Sequence, residues 1–430
     1  MLLEFSVKNY RSIKDKVTLS MVASSDNDHP ENVFEVDEPS RFRLLKSVGI
    51  YGANASGKSN VLRALGFMED FVRRSATGMA PGDDIDVTPF KLDPETREQP
   101  SQFEVSFISE GQRYVYGFSV DRERVHEEWL TAARTSRSRA LFHRYGDGNV
   151  EFGSTWKGER DRLVERTRPN ALLLSVAAQF NNPLVEPLWN WLGGTLQSLA
   201  RPSGDTADRV MTYVSFFGGR GGSDELAAFL AMADLGILGV EAVIVPLEET
   251  APRQDAPSED AHRGVERRQL FRRATAQVSM QHRAADGITV ALDLDREESA
   301  GTQRLYSVAG WWVYLLEMGA VLLIDELEAH LHPSITRALL AMLHQSDTHA
   351  QLIFATHDCG LLDADLLRRD QVWFTEKDSA GATQLYSLWD FRPRKDENYR
   401  KGYLQGRYGA VPFVGEFTFG EDQKAERPQD

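Results

Sequence analysis

The stretch GANASGKS, residues 52–59, lies between the apolar run LLKSVGIY and the segment KSNVLRALGFMEDFVRR, whose apolar positions recur at helical spacing. It matches G-x-x-x-x-G-K-[ST] in full, and a strand before it with a helix after it is the setting in which that spacing cradles phosphate. Gly52 and Gly57 allow the chain to turn tightly, so that the backbone N–H groups of Ala53, Asn54, Ala55 and Ser56 point inward at one anion. The helix that opens with Lys58, Ser59 and Asn60 adds its positive N-terminal end. Lys58 is expected to reach the β- and γ-phosphates of ATP, and the Ser59 hydroxyl to ligate Mg²⁺.

Two further strand ends complete a nucleotide site. AVLLIDEL, residues 320–327, is a buried apolar strand with Asp325 at its C-terminal end, where ligands sit in open α/β sheets. Asp325 is suited to hold Mg²⁺ through water, and Glu326 to orient or deprotonate the attacking water. QLIFATHD, residues 351–358, ends a third strand in Thr356 and His357, and His357 is placed to contact the γ-phosphate. HLHP, residues 330–333, puts two histidines near Glu328, but Pro333 suits the first turn of a helix and a loop after the DE strand explains the run. The acids of DAD, residues 363–365, resemble a two-metal nuclease pair, yet they fall in an apparent helix with no partner Glu on a suitable strand.

Strand and helix alternate in the last third of the chain, which indicates a mainly parallel sheet covered by helices. The expected fold class is therefore α/β, a P-loop head split in sequence by a β-hairpin and helical insertion. The expected boundaries are 1–75 for the N-terminal half of the head and 76–283 for a β-rich, then helical, lid or arm. The second half of the head then spans 284–390, and 391–430 is a C-terminal helix and tail. Within the arm, residues 158–236 read as mostly helical before the strand VEAVIV, and 248–266, charged and proline-bearing, read as a mobile loop. Heptads persist nowhere between 60 and 290, which excludes a long coiled-coil arm.

Composition narrows the setting. A net charge of −15, from 49 Lys and Arg against 64 Asp and Glu, disfavours a broad non-specific grip on duplex DNA. Basic stretches at 134–144, 265–273 and 392–407 read mainly as solvated surface. A single cysteine, Cys359, rules out a disulfide framework, and the most apolar run is interrupted by Glu317 and Gly319 before it could span a bilayer. A cytoplasmic chain without a signal peptide and without membrane attachment is expected.

The order GANASGKS, ESAGTQRL, LLIDEL, ATHD resembles the ABC-type ATPase heads of the RecF and SMC group. FSVKNYRSIKDKVTLS at the N-terminus, EAHLHP after the DE pair and RKGYLQGRYGAVPF near the C-terminus resemble bacterial phage-defence ATPases of the RloA and abortive-infection L type. These are related to the overcoming-lysogenization-defect ATPases. The resemblance implies an ATP-hydrolysing homodimer, or a higher homo-oligomer, in which each nucleotide lies between one chain's phosphate loop and the other chain's signature. Ser299 and Gly301 would then contact the γ-phosphate in trans. Glu298 and Ala300 depart from the usual LSGGQ-like signature. Gln179, in LLLSVAAQFNN, is the candidate for a glutamine that helps hold Mg²⁺. About 70 residues follow His357, too few for a nuclease domain, so a separate effector is implied, a Toprim-like nuclease, with nucleic acid or a phage protein as trigger. A RecF-like DNA-repair ATPase is the alternative.

Overall fold

The computed structural model describes residues 1–134, 137–199, 206–217, 222–233, 236–246, 274–394 and 397–412. Its centre is a six-stranded sheet built from β5 (Ser47–Tyr51), β11 (Leu196–Leu199), β15 (Val321–Ile324), β16 (Gln351–Ala355), β17 (Val372–Lys377) and β18 (Thr383–Ser387), in the order β11-β15-β16-β5-β17-β18. All neighbours are parallel except the β17–β18 edge hairpin. β5, β15 and β16 are buried along their whole length, as mostly apolar strands are when both sheet faces are covered.

Strand alternation sorts the residues into two cores. Val48, Ile50, Val321, Leu323, Ile353 and Ala355 face one way, toward helix α1 (Lys58–Arg74). Leu322, Ile324, Leu352, Phe354 and Phe374 face the other, toward α5 (Ala300–Met318), α6 (Pro333–Gln345) and α7 (Tyr399–Leu404). α1 presents Val61, Leu62, Leu65, Met68, Phe71 and Val72 at helical spacing, which accounts for the apolar stripe seen in the sequence.

The second layer is a seven-stranded antiparallel sheet in the order β10-β9-β8-β7-β6-β1-β2. It consists of β1 (Leu2–Lys8), β2 (Val17–Ser20), β6 (Ser101–Ser109), β7 (Gln112–Val120), β8 (Val125–Ala133), β9 (Arg139–Arg144) and β10 (Val150–Phe152). A hairpin of β3 (Val33–Val36) and β4 (Phe42–Leu45) stands beside it. The sheets therefore do not divide at residues 76 and 283. β1 pairs with β6, which joins the first strands of the chain to the inserted region. β11, inside a region expected to be helical, pairs with β15 instead. LQSL was hidden by its shortness: four residues carry no period of their own, and the strand is specified by the partner it meets.

Beyond β11 the chain forms α3 (Thr206–Phe216), α4 (Ser223–Ala231) and a three-stranded antiparallel sheet, β12 (Ile237–Pro246), β13 (Ala274–Arg283) and β14 (Thr289–Asp293). Residues 248–266 and the basic stretch 265–273 lie outside the described residues. In the basic stretch 134–144, Arg144 is not surface at all. It is 5% exposed, donates to Ala171 O and lies 3.7 Å from the fully buried Glu128. Glu128 in turn accepts from the N–H groups of Leu173 and Leu174, opening α2 (Leu173–Gln179). DAD forms a turn rather than a helix. Among the described residues no helix is long and apolar enough to cross a membrane.

Candidate nucleotide site

The phosphate loop hangs between the end of β5 and the start of α1. Gly52 has φ 149°, Ala55 φ 60° and Gly57 φ 115°, three left-handed positions within six residues. At both glycines a side chain is excluded by contact as well as by torsion. A Cβ on Gly52 would collide with the carbonyl of Thr375, and one on Gly57 with the side chain of Thr383. The β17–β18 hairpin thus forms a wall behind the loop. Thr383 Oγ1 donates to Ser56 O at 2.8 Å, and the hydroxyls of Ser56 and Thr375 lie 2.6 Å apart. Ser12, in the turn after β1, lies 2.8 Å from Thr383 Oγ1 and accepts from Asn60 Nδ2 at 2.6 Å. Asn54 and Ala55 at the tip remain exposed.

Lys58 is 5% exposed and folds back over the loop, donating to Gly52 O at 2.8 Å and Ala53 O at 3.1 Å. Burial pulls its ammonium down to about 8, only partly offset by Asp325, Glu328 and Glu326. The Ser59 hydroxyl donates to Asp325 Oδ1 at 3.0 Å, so the first turn of α1 and the end of β15 meet at one point. His357, exposed at the end of β16, brings Nδ1 to 3.4 Å from Lys58 Nζ. Partial burial, and then the Lys58 charge, hold this imidazole below its ordinary value.

Glu326 has φ 52°, rare for a residue with a side chain. Its carbonyl accepts from Ala329 N at 3.0 Å and from Arg304 Nη2 at 3.4 Å. Arg304, 1% exposed on α5, therefore backs the DE turn from below. Glu328 Oε1 accepts from His357 N at 2.5 Å, tying the DE turn to the β16 end. Thr375, Thr383, Ser12 and Arg304 went unread in the sequence, and Glu328, two residues past the DE pair, was noted only beside the histidines of HLHP.

Ser299 and Gly301 stand elsewhere. Ser299 is the exposed N-cap of α5, its Oγ accepting from Thr302 N at 3.1 Å. Gly301 packs against His330 O, where a Cβ would come within 2.9 Å. Neither has a hydrogen bond to the phosphate loop of its own chain.

Gln179 is not brought to Ser59. Ser175 of α2 donates to Val72 O, and Leu172 N donates to Ser75 Oγ, so α2 is anchored at the far end of α1. At 1.5 Å per helical residue, Val72 and Ser59 are about 20 Å apart, and the four residues from Ser175 to Gln179 recover only about 6 Å of that. His332 accepts from Ser334 N as the N-cap of α6, and Asp363 pairs with Arg337 at 2.6 Å. Among the described residues no group of three or more His, Cys, Asp or Glu side chains is disposed to hold a metal.

No curated protein matches the chain in sequence. An Smc head bound to the C-winged helix domain of ScpA is 14% identical, with a TM-score of 0.42 over 90% of this chain and 97% of that one. The SMC head domain from Thermotoga maritima is 11% identical, with a TM-score of 0.40 over 90% and 98%. An Smc head domain with an extended coiled coil, bound to the C-terminal domain of ScpA from Pyrococcus furiosus, is 13% identical, with a TM-score of 0.37 over 91% and 99%. A family model matches residues 47–363, from the strand before the phosphate loop to the turn beyond His357. On that match the chain belongs to the family described as AAA domain, putative AbiEii toxin, type IV TA system.

Proposed function

We propose that this chain is a Mg²⁺-dependent ATPase acting as the regulatory subunit of a bacterial anti-phage system, dimerising on ATP and relaying its nucleotide state to a separate effector. The observation that carries the reading is the convergence of three strand ends on one loop: Lys58 after β5, Asp325 bonded to Ser59, and His357 beside Lys58. The residues fit the nucleotide: the glycines leave no room for side chains, and Lys58 spends its hydrogen bonds on loop carbonyls that a phosphate can replace. Mg²⁺, held by Ser59 and Asp325, would neutralise phosphate charge as the terminal phosphoryl group transfers.

The chain's own groups divide the remaining work. Lys58 and the start of α1 bind the β- and γ-phosphates. Glu326 orients a water and accepts its proton as the water oxygen bonds to the γ-phosphorus. The bond to the β–γ bridging oxygen breaks, leaving ADP and phosphate. His357 meets the γ-phosphate and, through Glu328, shares a rigid link with the DE turn. Ser299 and Gly301 contact the nucleotide of a second copy, which makes turnover depend on the dimer.

The toxin–antitoxin wording of the family description supports a defence or growth-control setting. The effector we propose is a Toprim-like nuclease, and a pull-down from the native host identifies it. The ATPase reading is tested with Glu326→Gln, which should lose at least about a hundredfold in turnover while retaining ATP. Light scattering should find that variant dimeric with Mg²⁺ and ATP, and monomeric without nucleotide. A monomer under both conditions would overturn the dimer.

A further inference from the structure

We propose that Glu298 is a positioning residue for Ser299, held in place by His282. The inference rests on the reading that Ser299 contacts the nucleotide of a second copy. The Glu298 side chain is only 8% exposed although its neighbour Ser299 faces solvent, and Oε1 accepts from His282 Nε2 at 2.7 Å. His282 lies on the central strand of the three-stranded sheet, in register with Ile237 on one side and Val290 on the other. The contact therefore ties the central strand of the sheet to the residue that precedes the helix cap.

The turn between β14 and α5 is closed on itself. Asp293 accepts from the N–H groups of Asp295 and Arg296 at 2.9 and 3.0 Å, and its own N–H donates to Glu297 Oε2 at 2.7 Å. The N–H groups of Glu297 and Glu298 return to Asp293 O at 3.0 and 3.2 Å. Asp295 pairs with Arg209 of α3, and Gln303 of α5 donates to Glu298 O at 3.2 Å. The carbonyl of Glu298 is thereby fixed from the helix and its carboxylate from the sheet. Ser299, the next residue, inherits both constraints, and its Oγ is aimed by Thr302 N.

An apolar side chain would fill the same pocket without desolvating a carboxylate, so the pair is a poor way to gain stability. What the hydrogen bond supplies is direction: it indexes the cap of α5 to the register of β13. A shift of the three-stranded sheet is then a shift of Ser299, which makes this sheet the part of the arm that carries nucleotide state outward. A misplacement of about 1 Å at a positioned group costs on the order of a hundredfold in rate.

The test uses the full chain with Glu298→Leu, His282→Ala, Glu298→Gln and Ser299→Trp, each assayed for turnover at saturating ATP, for ATP binding and for thermal midpoint. Glu298→Leu and His282→Ala should each lose roughly ten- to a hundredfold in kcat, and together no more than either alone. ATP binding should stay within about twofold of wild type, because the phosphate loop is untouched. Glu298→Gln, whose amide oxygen still accepts from His282, should recover most of the rate. Wild-type turnover in Glu298→Leu alongside a dead Ser299→Trp would overturn the positioning role and leave the dimer standing. Wild-type turnover in Ser299→Trp would instead overturn the dimer reading itself. Equal impairment of Glu298→Gln and Glu298→Leu, with lowered thermal midpoints and weaker ATP binding in both, would reduce the pair to a structural contact and overturn the proposal.

Discussion

The phosphate loop and the turn that ends at Ser299 are both passages from a strand into a helix, yet they are finished in opposite ways. The phosphate loop is walled by Thr375 and Thr383, bridged by Lys58 to its own carbonyls and pinned to Asp325 through Ser59. The other turn is braced by His282, Arg209 and Gln303 and by its own Asp293, and its serine faces solvent. One junction closes a site within the chain. The other leaves its serine at the surface, outside that site.

Breaking the first junction should have the larger effect. Gly57→Ala places a methyl group against Thr383 at a left-handed position, and backbone strain alone costs about 1–3 kcal/mol. ATP binding, followed with a fluorescent nucleotide, should be lost. Next comes Thr383→Val, which keeps the shape of the wall but leaves Ser56 O without its donor, at a cost of about 1–3 kcal/mol. ATP affinity should fall roughly ten- to a hundredfold, with the thermal midpoint lowered and the Glu298–His282 contact unaffected. The smallest effect is titration of Lys58. Its pKa in the free protein is lowered to about 8, so it is charged below that pH and loses its proton as pH rises through it. ATP affinity should be full near pH 7 and weaken by about tenfold at most toward pH 9, the change expected of one proton titrating near 8. Calorimetry in buffers of different ionisation enthalpy should find proton uptake on binding at the higher pH only. A flat profile would mean that Lys58 stays charged within its cradle.

Legibility divides along the same line. Positions set by local spacing were readable: the loop from Gly52 between a strand and a helix, Asp325 and Glu326 just past one strand end, His357 just past another, and α1 over the very residues 58–74 that the periodicity marks out. Residues that act through register were not. Thr375 and Thr383 matter because an edge hairpin falls behind the loop, and nothing in VWFTEK or TQLYS announces it. β11 is a strand because β15 offers it an edge, and β1 belongs with β6 because the antiparallel sheet reaches back across the chain. Gln179 was misplaced for the same reason: its helix is anchored by Ser175 and Glu128, whose partners lie far away in sequence. The contact of Glu298 with His282 was equally unreadable, since strand register brings the two together.

The pairing of β5 bears on how the chain is made. Its strand neighbours are β16 and β17, which come some 300 residues later. During synthesis at about 5–20 residues per second, the phosphate loop would emerge and wait roughly 15–60 seconds before either neighbour exists. The antiparallel sheet, complete by Phe152, can form in the meantime and cover α1. A chain that stops short of β16 and β17 would thus be well folded over the antiparallel sheet and still have nowhere to put a nucleotide, so competence to bind ATP waits for those two strands.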